Sequence, residues 1–159
     1  MFLNTKINVN EKLVVEMKEK MSKIEERCLT MGIKMTGQRK IIAKVLSDSK
    51  DHPDVELLLQ RATKIDPKIS IATIYRTMRL FEENNIVERH EFGDGRSRYE
   101  ETPRFHHDHI IDVNSGKVIE FQNDEIEKLQ KQIVEDRGYN LVDHKLELYV
   151  KPKENKKST

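Results

Sequence analysis

The stretch Ile86-Val87-Glu88-Arg89-His90-Glu91-Phe92-Gly93-Asp94-Gly95-Arg96-Ser97-Arg98-Tyr99-Glu100 decides the fold. Its first seven residues alternate as a strand, Gly93-Asp94-Gly95 turns, and Arg96–Glu100 returns as a second strand. Just upstream, Ser70 can cap a helix that carries Ile71, Ile74, Tyr75, Met78, Leu80 and Phe81 and stops at Asn84-Asn85. Before that, Pro53 suits the first turn of a helix holding Val55, Leu58, Ala62 and Ile65, broken by Asp66-Pro67. Thr36 can cap another, with Ile41, Ile42, Val45 and Leu46 inward. Three short helices followed by a hairpin form a winged helix-turn-helix, and this layout makes nucleic acid the leading partner.

Outward towards the N-terminus, residues 1–10 read as a loose lead-in. Leu13, Val14, Met17, Met21, Ile24, Cys28 and Leu29 then recur at spacings of three and four, which predicts one amphipathic helix from Glu11 to Met31. Gly32 is its stop signal. Cys28 falls on the apolar stripe and reads as a core residue.

Towards the C-terminus, Thr102-Pro103 marks a boundary. Beyond it the pattern predicts a strand (Phe105–Val113), a turn (Asn114-Ser115-Gly116), a strand (Lys117–Phe121), a helix (Asp124–Arg137) ended by Gly138, and a strand (Tyr139–Val150). In that last strand Val142, His144, Leu146, Leu148 and Val150 share a face. The chain is thus α+β: residues 1–102 are an N-terminal helix and winged helix, and 103–150 a small α+β unit. Residues 151–159 are a charged, disordered tail. An exposed strand edge in the second unit predicts a homodimer.

Composition narrows the function. The 159 residues are 36% charged with a net charge of +1, and the single cysteine excludes a disulfide framework or an all-thiolate metal site. No apolar run approaches the roughly 18 residues of a membrane span, and the start of the chain reads as no secretory signal, so the expected location is cytoplasmic. Up to Thr102 there are 19 basic and 17 acidic residues. Charge is therefore informative by placement rather than as a total.

The densest chemical signal is His106-His107-Asp108-His109. Side chains alternate along a strand, so His106 and Asp108 point one way while His107 and His109 point the other. Imidazole with carboxylate suits Fe, Mn, Zn, Co or Ni better than Ca or Mg. Spacing does not bring the scattered His52, His144, Glu100, Glu120 and Glu127 together. On the nucleic-acid side, the N-terminal half of the second helix of a helix-turn-helix reads base edges, and here it offers Ser70, Thr73, Tyr75 and Arg76. Lys34, Arg96 and Arg98 are placed to reach the backbone or a minor groove.

From Gly32 to Val150 the chain resembles the ferric uptake regulator (Fur) family of bacterial metal-dependent repressors. The resemblance is carried by Ile71-Ala72-Thr73-Ile74-Tyr75-Arg76-Thr77-Met78, by His106-His107-Asp108-His109 with Gly116-Lys117-Val118-Ile119-Glu120-Phe121, and by the late His144. It implies a winged-helix domain joined to an α+β dimerisation domain. It also implies a regulatory metal site of His106, Asp108, Glu127 and His144. A second site is implied at His52, Glu100, His109 and Glu120, where His107 can join or substitute. Lys34 is implied for the minor groove, and Tyr75 and Arg76 for the major groove of double-stranded operator DNA. Many members bind a structural zinc through cysteine pairs; this chain has Asp112 and Ser115 where the first pair falls, so no cysteine-bound zinc is expected. In that it resembles the iron- and manganese-responsive regulators of alphaproteobacteria. The implied function is repression of metal-uptake genes by a homodimer loaded with a divalent metal, Fe(II) or Mn(II), with Zn(II) also compatible. Manganese-, haem- and peroxide-responsive regulators are the alternatives within the superfamily. A metal-dependent hydrolase is the rival from outside it, and no enzyme is expected because nothing in the chain supplies a general base beside an open metal position.

Overall fold

The computed structural model describes residues 20–154. The lead-in, the predicted helix before Lys20 and the end of the tail lie outside the described residues. The chain divides into two units, one of residues up to His90 with Ser97–Thr102, the other of Glu91–Arg96 and the chain from Pro103 on.

The first unit holds α1 (Lys23–Thr30), α2 (Gly37–Ser47), α3 (Val55–Thr63), α4 (Ile71–Glu83) and, apart from Glu91, the paired strands β1 (Val87–Glu91) and β2 (Ser97–Glu101). Each helix starts at a side-chain cap. Ser22 accepts from Glu25 N at 3.1 Å, Thr36 from Arg39 N at 3.3 Å, Asp54 from Leu57 N at 2.8 Å and Ser70 from Thr73 N at 3.3 Å. Such a cap contributes about 1 kcal/mol. Between the helices lies a core that includes Ile24, Cys28, Ile42, Leu58, Met78 and Phe81, closed by Ile86, Val87 and Tyr99 from the hairpin. Gly32, at φ +71, ends α1 while Ile33 N returns to Cys28 O at 2.8 Å.

Two expectations for this unit need correction. The helix expected to run unbroken from Glu11 to Met31 is interrupted at Met21-Ser22, where the Ser22 hydroxyl starts a new helix by capping Glu25 N. Pro53 is not in the first turn of α3 either. It precedes the cap Asp54, and its carbonyl accepts from Tyr99 N at 3.0 Å.

Arg27 fastens α1 to the base of the hairpin. Its guanidinium donates to Asn85 O at 2.9 Å, Thr102 O at 3.1 Å and Ile86 O at 3.3 Å, and Glu101 lies 3.9 Å away. Thr102 N also donates to Ile86 O at 2.9 Å. Both ends of the hairpin are therefore held by one cation.

The second unit is a three-stranded sheet in the order β4-β3-β5, with β3 (Asp108–Asp112) central, β4 (Val118–Phe121) antiparallel to it and β5 (Glu147–Val150) parallel to it. The connection between β4 and β5 carries α5 (Asp124–Glu135), capped by Asn123 and acidic in its first turn, as the helix dipole favours. The buried apolar cluster is small, formed by Phe92, Ile111 and Val118. By contrast Ile119, Leu129, Ile133, Leu148 and Tyr149 are exposed, and no described residue of α5 is buried.

Here the strands are shorter than the alternation predicts. His106 and His107 precede β3 instead of lying in it, and His144 lies in an irregular segment before β5. Val142, expected on the inner face of a long last strand, is 96% exposed. Pairing explains this: β5 joins the sheet only where Glu147 meets His109 on β3. Just before it, Leu146 O accepts from His109 N of β3 at 3.2 Å, and residues 139–145 form no strand.

Candidate metal centre and nucleic-acid surface

Asp108, the first residue of β3, is the fixed point of the metal cluster, with its side chain 1% exposed. His106 reaches it from the segment before β3, Nε2 to Oδ1 at 3.1 Å, and His144 from the segment before β5, at 3.2 Å. The two imidazole Nε2 atoms lie 2.9 Å apart. Glu127, in the first turn of α5, brings Oε1 to 3.4 Å from His144 and 3.8 Å from His106. All four ligand atoms lie within 4.8 Å of one another. The side-chain amide of Gln122 donates to His106 O and fixes that backbone.

These residues fit a divalent metal. Four N and O atoms converge, and two ring nitrogens face each other at hydrogen-bond distance beside a buried carboxylate. One cation satisfies all of them at once, and imidazole with carboxylate is a donor set for Fe(II), Mn(II) or Zn(II). The structure therefore brings together the four residues of the first set implied by the resemblance.

The second set is divided between the units, and each half stands by itself. In the first unit His52 Nε2 lies 3.2 Å from Glu100 Oε2, both largely buried. His52 takes φ +49, a left-handed conformation that a side chain adopts only where its surroundings demand it. In the second unit His109 and Glu120 are register partners on β3 and β4, which puts their side chains on one face. His107 lies 3.8 Å from Glu120, and its ring is 4.8 Å from that of His109. His106 and Asp108 thus separate from His107 and His109 as alternation predicts, although two of the four lie outside the strand.

One residue of this neighbourhood was missed by sequence reasoning. His90 Nε2 lies 2.6 Å from Glu100 Oε1, and His90, Glu88 and Glu100 form a further group of potential ligands. The available signal was the alternation of β1, which puts Glu88 and His90 on one side of the strand. At the positions of the family's first cysteine pair, Ser115 donates to Asp112 Oδ2 at 2.6 Å and Asn114 N to Asp112 Oδ1 at 2.9 Å. These bonds close the β3–β4 turn and hold the Asp112 carboxyl below its ordinary range.

The nucleic-acid candidates lie at the start of α4. Ser70, Tyr75 and Arg76 are exposed, and Thr73 is half-buried. Ser70 Oγ and Thr73 Oγ1 are 3.1 Å apart, and Arg76 donates to Thr73 Oγ1 at 3.3 Å, so the three polar groups are coupled. The acidic residues at the end of this helix are paired with arginines, Glu83 with Arg79 at 2.8 Å and Glu82 with Arg89 at 3.3 Å. Lys34 is exposed ahead of α2, and its carbonyl accepts from Arg39 at 2.8 Å, a contact that spacing alone does not suggest.

No described helix is long and apolar enough to cross a membrane. The model of the ferric uptake regulator family matches residues 30–149. A ferric uptake regulation protein of Rhizobium leguminosarum bv. viciae is 57% identical over 129 residues, which are 81% of this chain and 91% of that protein. One of Brucella abortus is 46% identical over 127 residues, 80% of this chain and 90% of that protein. A solved structure described as a zinc-bound manganese uptake regulator is 55% identical, covers 82% of this chain and 98% of its own, and superposes with a TM-score of 0.74. With this fold, these clusters and these relatives, the chain belongs to the ferric uptake regulator family.

Proposed function

We propose that the chain is a metal-responsive transcriptional regulator. As a homodimer loaded with a divalent metal, with Fe(II) as the first reading, it binds palindromic operators in double-stranded DNA and represses metal-uptake genes in the cytoplasm. The observation that carries this reading is the convergence of His106, Asp108, Glu127 and His144 within 4.8 Å. A bound ion would supply positive charge and a link between β3, α5 and the segment before β5. Gln122 holds the His106 backbone, and the buried carboxylate of Asp108 anchors both imidazoles.

The exposed N-terminal half of α4 supports Ser70, Thr73, Tyr75 and Arg76 as the DNA-reading residues, and Lys34, exposed ahead of α2, is a further DNA contact. The family pattern assigns a second ion to His52, Glu100, His109 and Glu120. The edge strand β5 and the exposed apolar residues of α5 support the homodimer, because such faces seek cover. The relatives are named as regulators, which points away from an enzyme.

Manganese is the second reading, favoured by the 55% identical structure described as a manganese uptake regulator. The test is a mobility shift on operator DNA with chelated protein, restored separately with Fe(II), Mn(II) and Zn(II). Retardation that depends on Fe(II) supports the first reading and dependence on Mn(II) the second. Equal retardation with and without metal overturns both.

A further inference from the structure

We infer that His90 is a positioning residue for Glu100: it takes one carboxylate oxygen so that the other is presented to the metal. The inference deepens the reading above and rests on Glu100 being a metal ligand. Each oxygen of Glu100 has its own imidazole. His90 Nε2 meets Oε1 at 2.6 Å, while His52 Nε2 meets Oε2 at 3.2 Å. The side chains of His90 and Glu100 are 10% and 11% exposed, so water competes little for the shorter bond. Glu88 is 3.8 Å from His90 and 45% exposed, a longer contact than the one to Glu100.

The geometry separates the two histidines by task. His52 and His90 address different oxygens of the carboxylate, with ring centroids 6.3 Å apart. β1 carries His90 and β2 carries Glu100, so the bond also spans the hairpin. An N–H donor on Oε1 stops the carboxylate from rotating and leaves Oε2 as a single-oxygen ligand beside His52. Hydrogen-bond partners of this kind fix ligand orientation, and their loss lowers metal affinity on the order of 10- to 100-fold.

The test uses the full chain carrying Glu127→Ala and His144→Ala, which silences the other set. Zn(II) affinity is measured by competition with a chromophoric chelator. His90→Leu is expected to weaken binding on the order of 10- to 100-fold, with the melting temperature of the metal-free protein kept. His90→Gln, whose amide can donate to Oε1, is expected to restore affinity. Its Co(II) complex should keep the visible absorption band of the parent, because the ligands are the same. If His90→Leu does not fold, His90→Asn, polar but too short to reach Glu100, replaces it in the comparison.

Parent-level affinity in His90→Leu overturns the inference. So does failure of His90→Gln to restore binding together with a changed Co(II) band, which makes His90 a ligand alongside Glu88 and Glu100. Glu100→Ala separates the two levels. If it leaves affinity unchanged, the reading of Glu100 as a ligand fails and the inference with it. If it weakens binding while His90→Leu does not, the inference alone fails.

Discussion

His106 and His144, 38 residues apart in the chain, bring their Nε2 atoms to 2.9 Å of each other over the buried carboxylate of Asp108. Without metal the two nitrogens can share one proton as a hydrogen bond; a divalent ion would replace that proton and take both lone pairs. His144→Ala removes one of four ligands and leaves the sheet untouched, because His144 lies outside every strand. The expected result is loss of one tightly bound metal per chain, with metal-dependent operator retardation lost as well. Isothermal titration and mobility shift check it. Acidification should weaken metal binding in the parent in the same direction, since ligation requires neutral imidazole.

Arg76 and Lys34 should separate in their effect on DNA. Arg76 is exposed on α4 with its guanidinium oriented by Thr73, a geometry suited to a guanine edge. Arg76→Ala is expected to reduce operator discrimination by about 1–3 kcal/mol. Lys34→Ala should weaken operator and random DNA alike and lower the salt slope by about 1. Equal losses on both DNAs for Arg76→Ala would assign it to phosphate contact instead.

Much of this was legible beforehand, for reasons that differ by residue. Thr36 and Ser70 announce helix starts because a hydroxyl cap acts three residues away, within reach of any local reading. His106 through His109 separate into two faces because alternation is a property of the extended backbone itself. The Arg27 contacts were invisible, since they join residues 58, 59 and 75 positions apart and a lone arginine on a helix looks solvated. His144 was placed on a long strand because periodicity reports apolar spacing, not whether a neighbouring strand exists to pair with.

Cys28 should behave as an inert core residue. Burial is the main cause that pushes its thiol up from 9.0 to about 11, with Arg27 opposing. The folded thiol holds its proton more tightly than the unfolded one. Its contribution to stability is therefore complete below about pH 9 and is lost as the pH rises through about 11. A chromogenic disulfide reagent at pH 8 is expected to label Cys28 only at the rate of unfolding. Rapid stoichiometric labelling of native protein would contradict this.

Arg27→Ala should be costly for a half-exposed arginine. It strips the carbonyls of Asn85, Ile86 and Thr102 of a charged donor at both ends of the hairpin. Loss of such a partner costs about 1–3 kcal/mol. A lowered thermal midpoint, measured on metal-free protein, checks the stability effect. Arg27→Lys should recover little of it, because an ammonium cannot span three carbonyls as the planar fork does.

The apolar surface of the second unit makes the last prediction. Leu148 on β5 is 41% exposed and Ile133 on α5 is 44% exposed, in a unit whose buried cluster is Phe92, Ile111 and Val118. A charge at either position leaves that cluster intact but is hard to bury against a second copy. Leu148→Lys and Ile133→Lys are therefore expected to shift the dimer towards monomer in sedimentation experiments, at a cost of about 2 kcal/mol or more per central contact. Their near-ultraviolet spectra should match the parent at low concentration, because the protomer fold is unchanged. Operator affinity should fall with dilution more steeply than in the parent, since a palindrome engages two copies at once. Dimers of undiminished stability in both variants would remove β5 and α5 from the interface.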